Sequence, residues 1–421
     1  MALPELRLRA PCPGLLSLPW ERPLAEWQAT EVPLRDVAVG PSRHLVRFVE
    51  ADGELWALKD LPERIARREY GVLRHLEDEC LPAVRPAGLV LQPAHDTAVL
   101  VTRYLSGSWQ YRRLIMRLPP NQPRQRARLF DGMISLLVEL HRHGVFWGDC
   151  SLANTLFMRD GQVLQAYLVD AETSEIHAQL SDGQREHDLT ILVENVAAGM
   201  IDLATRLERP PEIVPQLIDE VTALPDRYRA LWDALHATPV FAYDDRYRVE
   251  GAVRELNELG FAVDEVALQP VDRGRARLQV TVGDRNFHRA RLARLTGLEV
   301  GEGQAKILLG DLRAHQEWMR RRTGTEVPER VAARSWVDTC LTPGAAAAHE
   351  ALGGVGSEIQ AYCDLLEVRW LLSERAGADV GSDAARAALG GRAPTDSAAK
   401  TAVADAPTGE GGPDEDAGDE A

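Results

Sequence analysis

The 421-residue chain predicts an α+β protein of two lobes, an antiparallel sheet with one helix and then a mainly helical lobe. A mainly helical domain containing a β-hairpin is expected to follow. Three observations carry this reading. Short apolar runs bounded by turn residues cluster before about residue 105. Longer runs with apolar residues three and four apart dominate after it. Between them, Asp160-Gly161 marks one more hairpin inside the helical part.

The elements follow in chain order. Residues 1–34 are Pro-rich and read as an N-terminal extension, with Trp20 and Trp27 as packing anchors. A first lobe is expected over 35–105 and a second over 106–210, forming one domain over 35–210. Residues 44–49 (HLVRFV) and 54–59 (ELWALK) flank Ala51-Asp52-Gly53, which reads as strand, tight turn and strand. Pro62 opens the helical pattern PERIARREYGVLRHLEDE, with Ile65, Tyr70, Leu73 and Leu76 near helical spacing. Residues 88–92 and 98–105 are two further strands, broken by Ser106-Gly107. Residues 124–143 place Leu129, Met133, Leu136, Leu137 and Leu140 on one helix face, which Gly144 stops. A loop over 145–153 leads to short strands at 154–158 and 164–169, and residues 187–207 form a buried helix. Pro210-Pro211 marks a boundary, and a C-terminal α+β domain is expected over 211–390. It is helical at 211–236, 245–260, 286–296, 303–323 and 357–376, with a hairpin at 261–269 and 275–282. Trp318 and Trp336 are expected in its core. Residues 391–421, rich in Ala, Gly, Pro, Asp and Glu, read as a disordered acidic tail.

Composition excludes several classes. The net charge of −16 argues against nucleic-acid binding, which rests on a basic surface neutralising phosphates. No apolar run is long enough to span a membrane. MALPELRLRAPCPG has no continuous apolar stretch, so no secretory leader is expected. The five cysteines are scattered without a CxxC pair, which argues against a zinc site or disulfide framework and for a reducing cytoplasm. Cys150, beside Asp149, reads as a small apolar filler. The cluster Arg285, His288, Arg289, Arg291 and Arg294 reads as a solvated helix face, with an anionic partner as the alternative.

The chemistry concentrates in HRHGVFWGDCSLANTLFMRDGQVLQAYLVD, residues 141–170. Asp149 precedes Asn154, a hairpin follows, and the second strand ends in Asp170. An acid that orients a hydroxyl and takes its proton, with an amide oxygen and a second acid to hold Mg2+, is what metal-assisted phosphoryl transfer needs. Upstream, Lys59 ends a strand in WALKDL. It is one of only three lysines, with Lys306 and Lys400, among 48 Lys and Arg residues. A retained lysine at a strand end suits a compact point charge on nucleotide phosphates. Glu69, inside the next helix, is placed to pair with Lys59, with Glu63, Glu77 and Glu79 as competitors. The backbone of Arg103, Tyr104 and Leu105 is placed to meet an adenine edge. His141 and His143 are expected to pack and cap the helix end. Glu172 is either a second metal ligand or solvated.

In this order, Lys59, Glu69, Asp149 with Asn154, and Asp170 resemble the protein kinase-like superfamily over roughly residues 35–205. The sequence departs from Ser/Thr/Tyr kinases: Trp147-Gly148-Asp149 replaces His-Arg-Asp, and Asp170-Ala171-Glu172 replaces Asp-Phe-Gly. Little chain separates this motif from Asp188, which is expected to brace the catalytic loop. These traits are similar to lipopolysaccharide (Kdo/heptose) kinases and aminoglycoside-type phosphotransferases. LPERIARREY and LNELGF resemble the lipopolysaccharide kinase-like family called domain of unknown function 4032.

The resemblance implies an ATP- and Mg2+-dependent phosphotransferase acting on a hydroxyl, with Asp149 catalytic, Asn154 and Asp170 on the metal, and Lys59 braced by Glu69 on the phosphates. It also implies a phosphate-covering loop around Gly40 and Ser42, where VAVGPSRHLVRF holds a single glycine. That thin loop supports the alternative, a pseudokinase-like scaffold or nucleotide-binding module without turnover. A glycan or small-molecule acceptor is expected from the short segment after Asp170, and a protein partner is a further candidate for the C-terminal domain. A fold does not fix the acceptor.

Overall fold

The computed structural model describes residues 3–9, 12–37, 43–117, 123–242, 246–272 and 275–390. The acidic tail expected over 391–421 lies outside them, as do Gly40 and Ser42. The first part runs β1 (Glu5–Leu8), α1 (Pro13–Leu16), β2 (Leu34–Arg35), β3 (Val46–Ala51), β4 (Glu54–Pro62), α2 (Glu63–Asp78), β5 (Pro86–Gln92) and β6 (Thr97–Arg103). Its strands form one antiparallel sheet in the order β1-β5-β6-β4-β3-β2. The expected α+β class holds, and the sheet is wider than the four strands read from the sequence. The two additions are short edge strands in the Pro-rich segment and beside it. Four alternating residues, Glu-Leu-Arg-Leu, are too few to stand out from a loop.

Strand periodicity decides where Lys59 points. Side chains alternate between faces along a strand. Trp56 and Leu58 of β4 go to the outer face, where they join Val49, Val90, Val99 and Val101 under a cover built from Leu15, Trp20, Leu24 and Trp27. Leu61, two positions from Lys59, goes to the other face with Leu89 and Leu100, against Ala66, Leu73 and Leu76 of α2. Lys59 shares that inner face and pairs across the ladder with Leu100. Both sheet faces are therefore buried, which is why every residue of β5 is buried.

The second part contains β7 (Trp109–Gln110), α3 (Tyr111–Arg117), α4 (Pro123–Arg142), β8 (Val145–Phe146), β9 (Thr155–Asp160), β10 (Val163–Leu168), β11 (Glu175–Ile176) and α5 (Asp182–Arg206). Helix α4 buries Leu129, Phe130, Met133, Leu136, Leu137 and Leu140 in the main core. Helix α5 starts earlier than its apolar pattern suggests because Ser181 and Gln184 form a capping box ahead of that pattern. The expected single helical stretch over 211–236 is two helices, α6 (Ile213–Thr222) and α7 (Leu224–His236). Leu217, Val221, Leu224, Tyr228 and Leu235 from them pack into the same core as α4 and α5.

Beyond lie β12 (Val240–Ala242), α8 (Arg246–Glu258), β13 (Val263–Asp272), β14 (Arg275–Val282), α9 (Phe287–Thr296), α10 (Glu302–Thr323), α11 (Glu329–Trp336), a π-helical turn (Val337–Leu341), α12 (Thr342–Ala351), α13 (Glu358–Ala376) and α14 (Gly381–Gly390). A separate core forms around fully buried Trp336, with Leu308, Leu312, Ala348, Leu365 and Leu389. Trp318 corrects the expectation: it is 52% exposed and stacks on His315 instead. The basic cluster is corrected as well. His288 is buried against Glu302 at 2.7 Å, Arg285 donates to Gln165 at 2.9 Å, and Arg291 pairs with Glu329 at 2.7 Å. Internal acids and amides take these three groups, while Arg289 and Arg294 are exposed, so the face is solvated only in part. Among the described residues no helix is long and apolar enough to cross a membrane.

Candidate active site

The inner sheet face, α2 and the end of β10 meet at one ammonium group. Lys59 Nζ lies 3.2 and 3.1 Å from Glu69 Oε1 and Oε2, and 2.7 Å from Asp170 Oδ2. Glu69 sits within the apolar stripe of α2 formed by Ala66, Val72, Leu73 and Leu76, so its carboxylate enters the core face. Its competitors lie elsewhere: Glu63 pairs with Arg67, Glu77 pairs with Arg9, and Glu79 is exposed at the end of α2. Burial pushes the Glu69 carboxyl up to about 7 against the opposing pull of Lys59. Burial acts to lower the Lys59 ammonium, but Glu69 and Asp170 outweigh it and hold Lys59 above the usual lysine range. A lone buried carboxylate costs several kcal/mol, so each partner justifies the other's burial.

Asp149 is presented by two amides. Asn154 Nδ2 donates to Asp149 Oδ2 at 2.9 Å, and Asn195 Nδ2, from α5, donates to Oδ1 at 3.0 Å. The amide nitrogen of Asn154 is thereby spent on Asp149, which leaves its oxygen as an acceptor. Asn154 and Asp170 flank the open end of the β9–β10 hairpin, tied together by Val169 N–H donating to Asn154 O at 3.1 Å. Asn195 was missed in the sequence because a lone Asn inside a helix carries no local signal.

Asp188 braces the loop, as expected from its position. Its carboxylate accepts Trp147 N–H at 2.7 Å and Gly148 N–H at 2.8 Å, and it lies 3.0 Å from His141 Nε2. His141 Nδ1 lies 2.7 Å from the Tyr228 hydroxyl. A carboxylate only accepts, so neutral His141 donates from Nε2 to Asp188 and accepts at Nδ1 from Tyr228. Burial outweighs Asp188 and keeps His141 below its ordinary 6.5. The folded value therefore lies beneath the unfolded one. The stability this contributes is complete above about pH 6.5 and is lost as pH falls toward the folded value. Thermal melts from about pH 7.5 down to 5.5 are expected to show a steeper acid loss in the native protein than in His141→Gln, which keeps one donor and one acceptor but cannot titrate. Parallel slopes would remove this role.

The segment after Asp170 packs directly on the loop that carries Asp149. Thr173 Oγ1 and Ser174 Oγ both donate to Trp147 O, at 3.0 and 3.1 Å. Gly148 has φ +77, and a Cβ there would lie 2.9 Å from Thr173 O. Glycine in place of the arginine of His-Arg-Asp is thus a condition of this close approach. From α2, Arg68 donates to the carbonyls of Thr173 (3.2 Å) and Ser174 (3.0 Å).

Other expected residues fall as follows. The N–H groups of Arg103 and Tyr104 are taken by Arg85 O and Leu55 O, both at 2.9 Å, and the Arg103 side chain pairs with Glu54. Among the described residues the Leu105 N–H has no backbone partner. Cys150 is fully buried, and burial pushes its thiol well up, away from a nucleophile's range. Glu172 joins Glu69 and Asp170 in a cluster of carboxylate oxygens. His44, unnoticed in the sequence, lies 3.1 Å from Glu172 Oε2, and Lys59 lies 3.8 Å from it. The ammonium thus serves three carboxylates.

Comparison with known proteins agrees with the residue-level resemblance. Residues 51–207 match the family model of the lipopolysaccharide kinase (Kdo/WaaP) family, a span that includes Lys59, Glu69, Asp149, Asn154 and Asp170. Residues 230–389 match the model of DUF4032, a domain of unknown function. No curated protein matches the chain. A solved structure described as WaaP in complex with acyl carrier protein aligns at 20% identity over 54% of this chain and 99% of its own, with a TM-score of 0.34.

Proposed function

We propose that this chain, whose residues 51–207 match the lipopolysaccharide kinase (Kdo/WaaP) family model and whose residues 230–389 match that of DUF4032, is an ATP- and Mg2+-dependent phosphotransferase of the protein kinase-like superfamily. The acceptor is a hydroxyl of a glycan or small molecule. The observation that carries this reading is the meeting of Lys59, Glu69 and Asp170, drawn from three distant elements into one charged cluster.

In this reading Asp149 is the catalytic residue. Its carboxylate, aimed by Asn154 and Asn195, orients the acceptor hydroxyl and takes its proton. Asn154 and Asp170 would hold Mg2+ with hard oxygen atoms, which the amide orientation of Asn154 favours. Bound Mg2+ supplies positive charge against the phosphate oxygens. Lys59, braced by Glu69, binds the phosphates, and the Leu105 N–H meets the adenine edge. The phosphate-covering role that the sequence gives Gly40 and Ser42 falls outside the described residues. An ATP-consuming reaction sets this chemistry in the cytoplasm.

A titration of thermal stability with ATP and Mg2+ tests the reading. Saturation near 100 times Kd should add roughly 3 kcal/mol of apparent stability to the native protein and little to Asp170→Ala. Incubation of a cell extract with labelled ATP then identifies the acceptor. Absence of any shift in the native protein would favour the scaffold reading, which the single glycine of the cover loop supports.

A further inference from the structure

The two proposed metal ligands sit at the open end of the β9–β10 hairpin, and the closed end of the same hairpin is held by the C-terminal helices. Its register pairs Thr155 with Leu168 beside Asn154 and Asp170, and Asp160 with Val163 at the far turn. Six residues of strand separate the ends by about 20 Å. At the turn, Asp160 is buried and its carboxylate accepts the N–H groups of Gly303 and Gln304, both at 2.8 Å, in the first turn of α10. Gln360 of α13 brackets the next residue, accepting from Gly161 N–H and donating to Gly161 O, both at 3.0 Å. Arg159 forms a two-pronged pair with Asp364 of α13, one prong at 2.9 Å. The contact is close: a Cβ on Gly303 would lie 2.2 Å from Asp160 O. The hairpin is also packed along its length, with Phe157, Ala166 and Leu168 fully buried in the main core.

We propose that α10 and α13 set the position of Asn154 and Asp170 through this hairpin, with Asp160 and Gln360 as positioning residues for the metal site. The proposal rests on the kinase reading for its metal, while its mechanical half stands without it. Residues that touch neither of two linked sites but lie on a packed path between them change the coupling by roughly 2- to 30-fold, and the hairpin strands form such a path from the turn to Asn154 and Asp170. The C-terminal part thereby acquires a function: it is the anvil against which the metal ligands are aligned.

The test uses the full chain and the substitutions Gln360→Ala and Asp160→Asn, with Arg291→Ala as a control in the same part of the fold. Two quantities are read: the Mg2+ concentration that half-saturates ATP binding, and the hydrogen-exchange rate of the Val169 amide, which bonds Asn154 O. Gln360→Ala is expected to raise the Mg2+ requirement roughly three- to tenfold while ATP affinity at saturating Mg2+ changes less than about twofold. It should also speed exchange at Val169 by a similar factor without affecting amides of α11. Unchanged Mg2+ dependence and exchange in a folded Gln360→Ala protein would overturn the proposal, as would equal changes in Arg291→Ala. If the native protein binds no ATP with Mg2+, the functional reading fails, and exchange at Val169 still decides the mechanical coupling. If Asp160→Asn does not fold, Gln360→Ala decides alone, since it leaves the Asp160 cap and the Arg159 pair in place.

Discussion

Replacing Asp149 with Asn is expected to reduce phosphoryl transfer by about a thousandfold or more, with ATP and Mg2+ binding nearly unchanged. General-base contributions of a positioned carboxylate reach roughly 10²–10⁴. The substitution also turns an amide toward one of the two amides that now aim Asp149, so the geometry is lost along with the base. Turnover of labelled ATP, measured beside calorimetric nucleotide binding, separates the two effects. Retained turnover in Asp149→Asn would assign the acceptor proton to another group. A parallel loss of binding would mean that Asp149 serves the nucleotide rather than the acceptor.

The second large effect is on stability. Asp188→Ala is expected to cost about 3–5 kcal/mol, because it strands the buried Trp147 N–H and His141 ring and the part-buried Gly148 N–H. For a unit of this size that corresponds to a fall in Tm on the order of 10 °C. Asp188→Asn, which keeps one acceptor oxygen, should lie between the two. A loss below about 1 kcal/mol in Asp188→Ala would show that the catalytic loop is held by other contacts and that the brace is incidental.

What could be read in advance follows physical lines. Lys59, Glu69 and Asp170 were legible because each lies at a definite place on a periodic element: a strand end, a helix face, a second strand end. Once Trp56, Leu58 and Leu61 are assigned to opposite sheet faces, the direction of Lys59 follows. Asn195 was not legible, since its importance arises only when α5 is laid beside the catalytic loop. Trp318 was misplaced for a related reason. Indole at helical spacing suits a core or an aromatic stack, and the stack on His315 is a tertiary fact. The acid partners of His288 and Arg291 were likewise hidden, because they come from α10 and α11. Helices α12 and α14 carry a helix-favouring Ala content, but their Gly and Pro and their lack of a face of large apolar residues hid them.

Between Asp170 and the edge strand β11 every residue is committed. Ala171 N–H approaches Glu69, Glu172 N–H bonds Asp170, Thr173 and Ser174 hold Trp147 O, and Glu175 pairs with Phe146. A tether with no spare contour length has only one resting place. Moving it aside would break the Thr173 and Ser174 bonds to Trp147 O together. On the kinase reading, the described residues beside Asp149 form a fixed wall, and the grip on the far end of the β9–β10 hairpin is the place where its geometry would be adjusted.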